Sequence, residues 1–150
     1  MFEIKKKMRI WKRDEITLDA LQLRRKGTMM EFLEIEYTEI GDDFIRAKMP
    51  VNEKTKQPMG ILHGGAHVVL AESLGSLGAN LCLDNTQEYA VGLDINSNHL
   101  KSVNNGYVHG IAKPIHIGKQ THVWEIKIYN DAEQLLNISR LTMMVMKIVK

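Results

Sequence analysis

Disulfide chemistry has no material to work with here. The 150-residue sequence holds one cysteine, Cys82, so no internal bridge can form and a reducing cytoplasm is the expected compartment. Charge of one sign is lacking too: 20 basic against 18 acidic side chains make no field of the kind that holds nucleic acid. The basic runs Lys5-Lys6-Lys7 and Arg24-Arg25-Lys26 are short and read as a solvated terminus and a solvated helix face. No apolar run approaches the roughly 20 residues that cross a bilayer, and the basic N-terminus is not followed by a signal-peptide core. Secretion and membrane insertion are not expected. Linkers, low-complexity tracts and internal repeats are missing as well, and the length suits one core, so a single domain over residues 1–150 is expected.

The most informative scarcity is local. From Ala66 to Leu83, Glu72 is the one formally charged residue in a small and apolar stretch. At about 100° per residue, Leu70, Leu74, Leu77 and Leu81 form one ridge, read as the core face. Glu72, Ser76 and Ala79 fall roughly opposite, with Gly75 beside them. A solvent face of this length would carry several Lys, Glu or Gln. Small residues around one acid instead point to close approach by a backbone, a second subunit or a thin ligand. The plainer readings of Glu72, a surface glutamate or an ion-pair partner, lack a cation nearby on the helix.

Residues 57–65, Gln57-Pro58-Met59-Gly60-Ile61-Leu62-His63-Gly64-Gly65, break the chain and release it into that helix, whose first amides have no intrahelical acceptor. Glycine there removes the Cβ that would block a carbonyl oxygen, and the helix dipole favours negative charge. One donor aimed at an oxyanion is typically worth about 3 kcal/mol in a transition state. An oxyanion site at the helix start and a carboxylate two turns further in point to acyl-group hydrolysis. His63 and His67 stand four residues apart, a spacing that can face a metal, but Gly64 occupies the place where the zinc-protease pattern needs Glu, and no metal site is expected.

Elsewhere the pattern predicts a short amphipathic helix over 17–25, strands over 31–39 and 44–49 around Gly41-Asp42-Asp43, and four further strands over 89–100, 107–116, 122–129 and 135–148. Alternation is clearest in Val123-Trp124-Glu125-Ile126-Lys127-Ile128-Tyr129, where Trp124, Ile126 and Ile128 share one face and Glu125 and Lys127 the other. Asn104-Asn105-Gly106, Gly118-Lys119 and Asn130-Asp131 are turn compositions. Cys82 reads as a core residue at the helix end, and the nine methionines as adaptable core or interface filler. The sum is an α+β domain, an antiparallel sheet curled around one long helix.

Several motifs carry a family resemblance. Thr55-Lys56-Gln57-Pro58, Leu62-His63-Gly64-Gly65-Ala66, Leu70-Ala71-Glu72-Ser73 with Gly75-Ser76, and Val91-Gly92-Leu93-Asp94-Ile95-Asn96 leading to Asn98-His99 resemble the hotdog-fold acyl-CoA thioesterases. Within them the chain is similar to the 4-hydroxybenzoyl-CoA thioesterase class, and most similar to the bacterial 1,4-dihydroxy-2-naphthoyl-CoA thioesterases of menaquinone synthesis and their sister enzymes that clear misloaded aryl carrier proteins. The similarity runs from Ile10-Trp11-Lys12 through Lys113-Pro114 and Val123-Trp124 to Ser139-Arg140-Leu141-Thr142. It starts at about Met8, which makes residues 1–8 a candidate disordered extension.

What the resemblance implies is a hotdog fold and a cofactor-free hydrolysis in which the CoA thioester, or an acyl carrier protein thioester, is the substrate. It puts the polarising amide at Gly64 and the attacking or water-activating carboxylate at Glu72. Gln57 and His63 then orient the thioester, Ser76 holds the water or intermediate, and His99 lines the acyl pocket. Met59, where an aromatic is common, also belongs to the acyl side, and His67 stands where a small residue is usual. Lys101, Lys119 and Thr121 lie in the turns that meet the CoA nucleotide. The family builds each site across a dimer and pairs dimers into tetramers. Two other classes fit less well. A hotdog hydratase or dehydratase couples a His base to an acid in a different loop context, which is not found. A non-catalytic acyl-CoA sensor would carry a DNA-binding domain, and the roughly thirty residues before Glu31 are too few for one with a linker.

Overall fold

The computed structural model describes residues 9–13 and 15–149; the extension expected over residues 1–8 and the Lys5-Lys6-Lys7 run lie outside the described residues. Thr17 opens the first helix, α1 (Leu18–Leu23), its hydroxyl accepting from the Ala20 amide at 3.2 Å, as N-cap threonines do. The strand expected from residue 31 begins later. A single helical turn, α2 (Met29–Phe32), capped by Thr28, takes the place of its first residues. Glu34 then reverses the chain with φ of 58° and buries Ile35 before β1 (Glu36–Ile40).

β2 (Ile45–Pro50) sends Ile45, Ala47 and Met49 inward in alternation. The long helix α3 (Gly64–Leu81) follows, then β3 (Glu88–His99), β4 (Tyr107–Ile117), β5 (Thr121–Asn130) and β6 (Leu135–Lys147). All pairings are antiparallel, in the order β1-β2-β4-β5-β6-β3. The helix crosses one face of the sheet, touching β2 through β6, and delivers the chain to the far edge as β3. This is the hotdog arrangement. On β5 the alternation holds as expected: Trp124, Ile126 and Ile128 are fully buried, while Glu125 and Lys127 pair outside at 3.1 Å.

The helix sits on the sheet through its small residues, and here the expected faces are corrected. A Cβ on Gly78 would stand 2.7 Å from the Trp124 ring and one on Gly75 2.7 Å from Leu141 Cδ2. Ala71, Gly75, Gly78 and Ala79 are therefore core contacts, alongside Leu70, Leu74 and Leu81. Leu77, placed with the core ridge by its leucine spacing, is half-buried on the other side. The bulk of Trp124, on which Trp11 stacks at 6.3 Å, fills what the glycines leave open, so the sheet selects the small face as well as the leucines.

Candidate active site

The face of α3 turned from the sheet carries Glu72, Ser73, Ser76, Leu77 and Asn80, which line a groove of about 390 Å³ with Arg24, Arg25, Met30 and Tyr37. Arg24 and Arg25, read from sequence as a solvated helix face, thus stand at the acid's groove, and Arg25 also donates to the Ile35 carbonyl. Glu72 is half-buried and makes no hydrogen bond or ion pair among the described residues. Its Oε1 overlies Gly92 so closely that a Cβ there would collide with it. Burial pushes the Tyr37 hydroxyl up to about 12, which keeps it protonated at neutral pH.

Asn80 sets this geometry, and its sequence signal was only that of a polar residue near a helix end. Its Oδ1 accepts from the Ala90 amide at 2.9 Å and its Nδ2 donates to the Ala90 carbonyl at 3.0 Å. That clip holds α3 antiparallel along β3, so that Gly64 meets His99, Glu72 meets Gly92 and Asn80 meets Ala90.

The helix mouth is a second groove, of about 290 Å³, lined by Gln57, Gly64, His67, His99 and Lys101 among others. Its loop is tied down. Buried Thr55 donates to the Pro50 carbonyl at 2.8 Å and takes a bond from the Asn52 amide. Gln57 Oε1 accepts from the Met59 amide. His63 is the N-cap, its Nδ1 accepting from the Gly65 amide at 2.8 Å, and its carbonyl takes the Ala66 amide. That leaves the Gly64 amide without an acceptor among the described residues. The ring of His99 lies against Gly64, with Nε2 3.0 Å from where a Cβ would be.

His63 and His67 serve different neighbours. His67 is buried, 3% exposed, stacked on His99 with ring centres 5.5 Å apart and Nδ1 atoms 3.3 Å apart. Burial and then the His99 charge push its pKa down to about 4.

Two residue sets remain apart in one copy of the chain. Gly64 and Glu72 are eight residues apart on α3, about 12 Å at 1.5 Å per residue, too far for one carbonyl to meet both. Thr121 pairs with Met144, which pairs with Val91. Thr121 and neighbouring Lys119 therefore stand at the Glu72 end of the sheet, whereas Lys101 lines the helix-mouth groove. Met59 is 81% exposed and lines neither groove. A further concavity, about 540 Å³, holds none of these residues; the His109–Asp131 pair, at 2.7 Å, lies on it, with His109 on a β4 position that alternates away from α3 and Asp131 in the turn after β5.

No helix of the described residues is long and apolar enough to cross a membrane. The pattern of the thioesterase superfamily matches residues 59–136. The chain is 50% identical over 133 residues to the 1,4-dihydroxy-2-naphthoyl-CoA hydrolase of Escherichia coli, covering 89% of this chain and 96% of that one. It is 45% identical over 137 residues to the proofreading thioesterase EntH of Cronobacter turicensis, covering 91% and 98%. A crystal structure of a mutant of thioesterase PA1618 from Pseudomonas aeruginosa superposes with a TM-score of 0.90 at 42% identity, covering 93% and 99%. With the family pattern matched over half of its length and the same fold under the same motifs, the chain belongs to the thioesterase superfamily, as a thioester hydrolase built on the hotdog fold.

Proposed function

We propose that the protein hydrolyses an aromatic acyl-CoA thioester to the free acid and CoA in the cytoplasm, with 1,4-dihydroxy-2-naphthoyl-CoA, a step of menaquinone synthesis, as the first substrate to test. The supporting observation is the pair of half-sites on α3, a carboxylate at Glu72 and an amide at Gly64 that have no partner among the described residues. Similarity to the E. coli hydrolase supports the acyl group, and similarity to EntH keeps an aryl carrier protein thioester as the second donor to test.

The two halves meet when a second copy pairs edge to edge. β3 is an edge strand with Tyr89, Val91 and Leu93 exposed at 42%, 42% and 57%, a row that a long open edge does not normally leave uncovered. An antiparallel pairing of two β3 strands centred near Ile95 and Asn96 sets Gly92 of one copy beside His99 of the other. Glu72 then faces the Gly64 mouth of its neighbour. The working unit is a homodimer, with two dimers forming a homotetramer.

In that site the Gly64 amide donates to the thioester carbonyl oxygen and carries the negative charge that develops there. Glu72 either attacks the carbonyl carbon, giving a mixed anhydride that water opens, or takes a proton from the attacking water; Ser76 holds that water. The C–S bond breaks, and the thiolate leaves as CoA after taking up a proton. Gln57 and His63 keep the loop and helix start in place for the carbonyl, His99 and Met59 face the acyl group, and Lys101, Lys119 and Thr121 meet the nucleotide. No cofactor takes part. The test is thiol release across aryl-CoA, aliphatic-CoA and carrier-protein thioesters. Glu72→Ala is expected to lose at least about 100-fold in kcat. Glu72→Gln in labelled water separates the two routes. Full activity in Glu72→Ala would overturn the proposal.

A further inference from the structure

β6 buries polar groups for which the hydrolysis gives no use. Asn137 and Ser139 are 0% and 1% exposed on a strand otherwise filled by Leu136, Leu141 and Met143. Polar side chains are kept in such a place only when their hydrogen bonds are satisfied, and these lead to the helix mouth. Ser139 Oγ lies 2.8 Å from Asn137 Oδ1, which accepts from it, and 2.9 Å from Ser97 Oγ. Asn137 Nδ2 donates to Ser97 Oγ at 2.8 Å and faces His99 Nδ1 at 3.1 Å.

With its oxygen taken by Ser139, the amide offers His99 a hydrogen. A ring nitrogen that accepts carries no proton, so a neutral His99 holds its single N–H at Nε2. Nε2 is the atom that overlies Gly64. The buried His67 packs on the accepting nitrogen, its Nδ1 lying 3.3 Å from His99 Nδ1, and its own Nε2 has no partner among the described residues.

We infer that Asn137 is a positioning residue: its amide holds His99 in the Nε2–H form, so that the helix mouth presents a second donor beside the Gly64 amide. The use of that donor rests on the thioester hydrolysis proposed above; the tautomer does not. The turned-over amide is the competing arrangement. It would set Oδ1 against Nδ1, move the proton there and leave a lone pair at the mouth, where a carbonyl oxygen would be repelled.

Nitrogen-15 NMR of histidine-labelled protein, with the His99 signals identified by their loss in His99→Asn, reads the tautomer without substrate. The wild type is expected to show a protonated Nε2 and a bare Nδ1. In Asn137→Asp the carboxylate accepts from Nδ1–H, and that signature changes. Because a donor at an oxyanion is lost, kcat on an aryl-CoA is expected to fall about 100-fold, with KM moving less than about threefold. A wild-type Nδ1–H form overturns the inference, as does a changed tautomer with unchanged kcat. Should Asn137→Asp fail to fold, the wild-type spectrum still decides, and Ser139→Ala, which frees Oδ1, is expected to yield mixed tautomers. Failure of the hydrolase reading looks different: Glu72→Ala would then keep its thiol release while the His99 spectrum stayed the same.

Discussion

Oε1 of Glu72 rests over the bare Cα of Gly92, in space that any side chain at residue 92 would occupy. The contact falls where the β3–β6 register shifts between Gly92 and Asp94, an irregularity of the kind that re-aims a strand beside a site. The acid is thus placed by a glycine on the neighbouring strand, not by an ion pair.

Gly92→Ala is therefore expected to swing the carboxylate aside with little change in fold, since the colliding atom is the end of a flexible side chain. A displacement of this kind costs about 10- to 100-fold in kcat. Thiol-release kinetics set against the melting temperature check it: the rate should fall while the melting temperature stays within a few degrees.

The separation of Gly64 from Glu72 along α3 predicts complementation between two dead variants. Gly64→Val drives a side chain into the His99 ring at the mouth, and Glu72→Ala removes the acid. After subunit exchange an equal mixture is expected to regain about a quarter of the wild-type rate, because half of randomly formed dimers hold one intact site of two. No recovery at all would place both groups in one copy's site.

His67 gives stability a defined acid limb. Its pKa falls from 6.5 to about 4 on folding, so the unfolded chain binds its proton first as pH drops. The contribution is full above pH 6.5 and is lost as pH falls toward 4, about 3 kcal/mol in all. Urea unfolding at pH 7.5 and 4.5 is expected to show an acid loss smaller by about three quarters of that amount in His67→Ser than in the wild type. Buried His122, whose pKa desolvation also lowers, acts in both proteins and leaves the difference to His67.

Cys82 closes α3 as a buried cap residue, and burial pushes its thiol up to about 12. A thiolate is scarce there at assay pH. The folded protein is expected to react negligibly with a disulfide reagent at pH 8 over minutes, and stoichiometrically in denaturant. The same reagent can then report released CoA without a background from the protein.

Much of the fold and of the candidate site was legible because its signals are local. A charge-poor helix with one acid, a glycine-led start and a strand that alternates Trp124, Ile126 and Ile128 each follow from short-range periodicity. Leucine spacing alone misplaces the faces of α3, because leucines are not its sole core residues. Packing on Trp124 and Leu141 draws Gly75 and Gly78 inward with Ala79 and leaves Leu77 at the groove. Residues 31–35 read as strand because one helical turn is too short to show its period. The roles of Asn80, Gly92 and Asn137 are not legible in the sequence, where Gly92 stands out only within the Val91–Asn96 motif, since each acts on a partner distant in sequence.

Chain order alone determined the run of strands around one long helix, the curled antiparallel sheet and the presence of one acid behind a glycine-led helix start, because backbone propensity and side-chain period are properties of neighbouring residues. Only the folded structure decided which acid overlies which glycine, that His63 caps the helix while His67 stacks on His99, and that the two half-sites stand apart in one copy. Those relations depend on how closely the helix settles onto the sheet, and that distance is set by the volumes of side chains far apart in the chain.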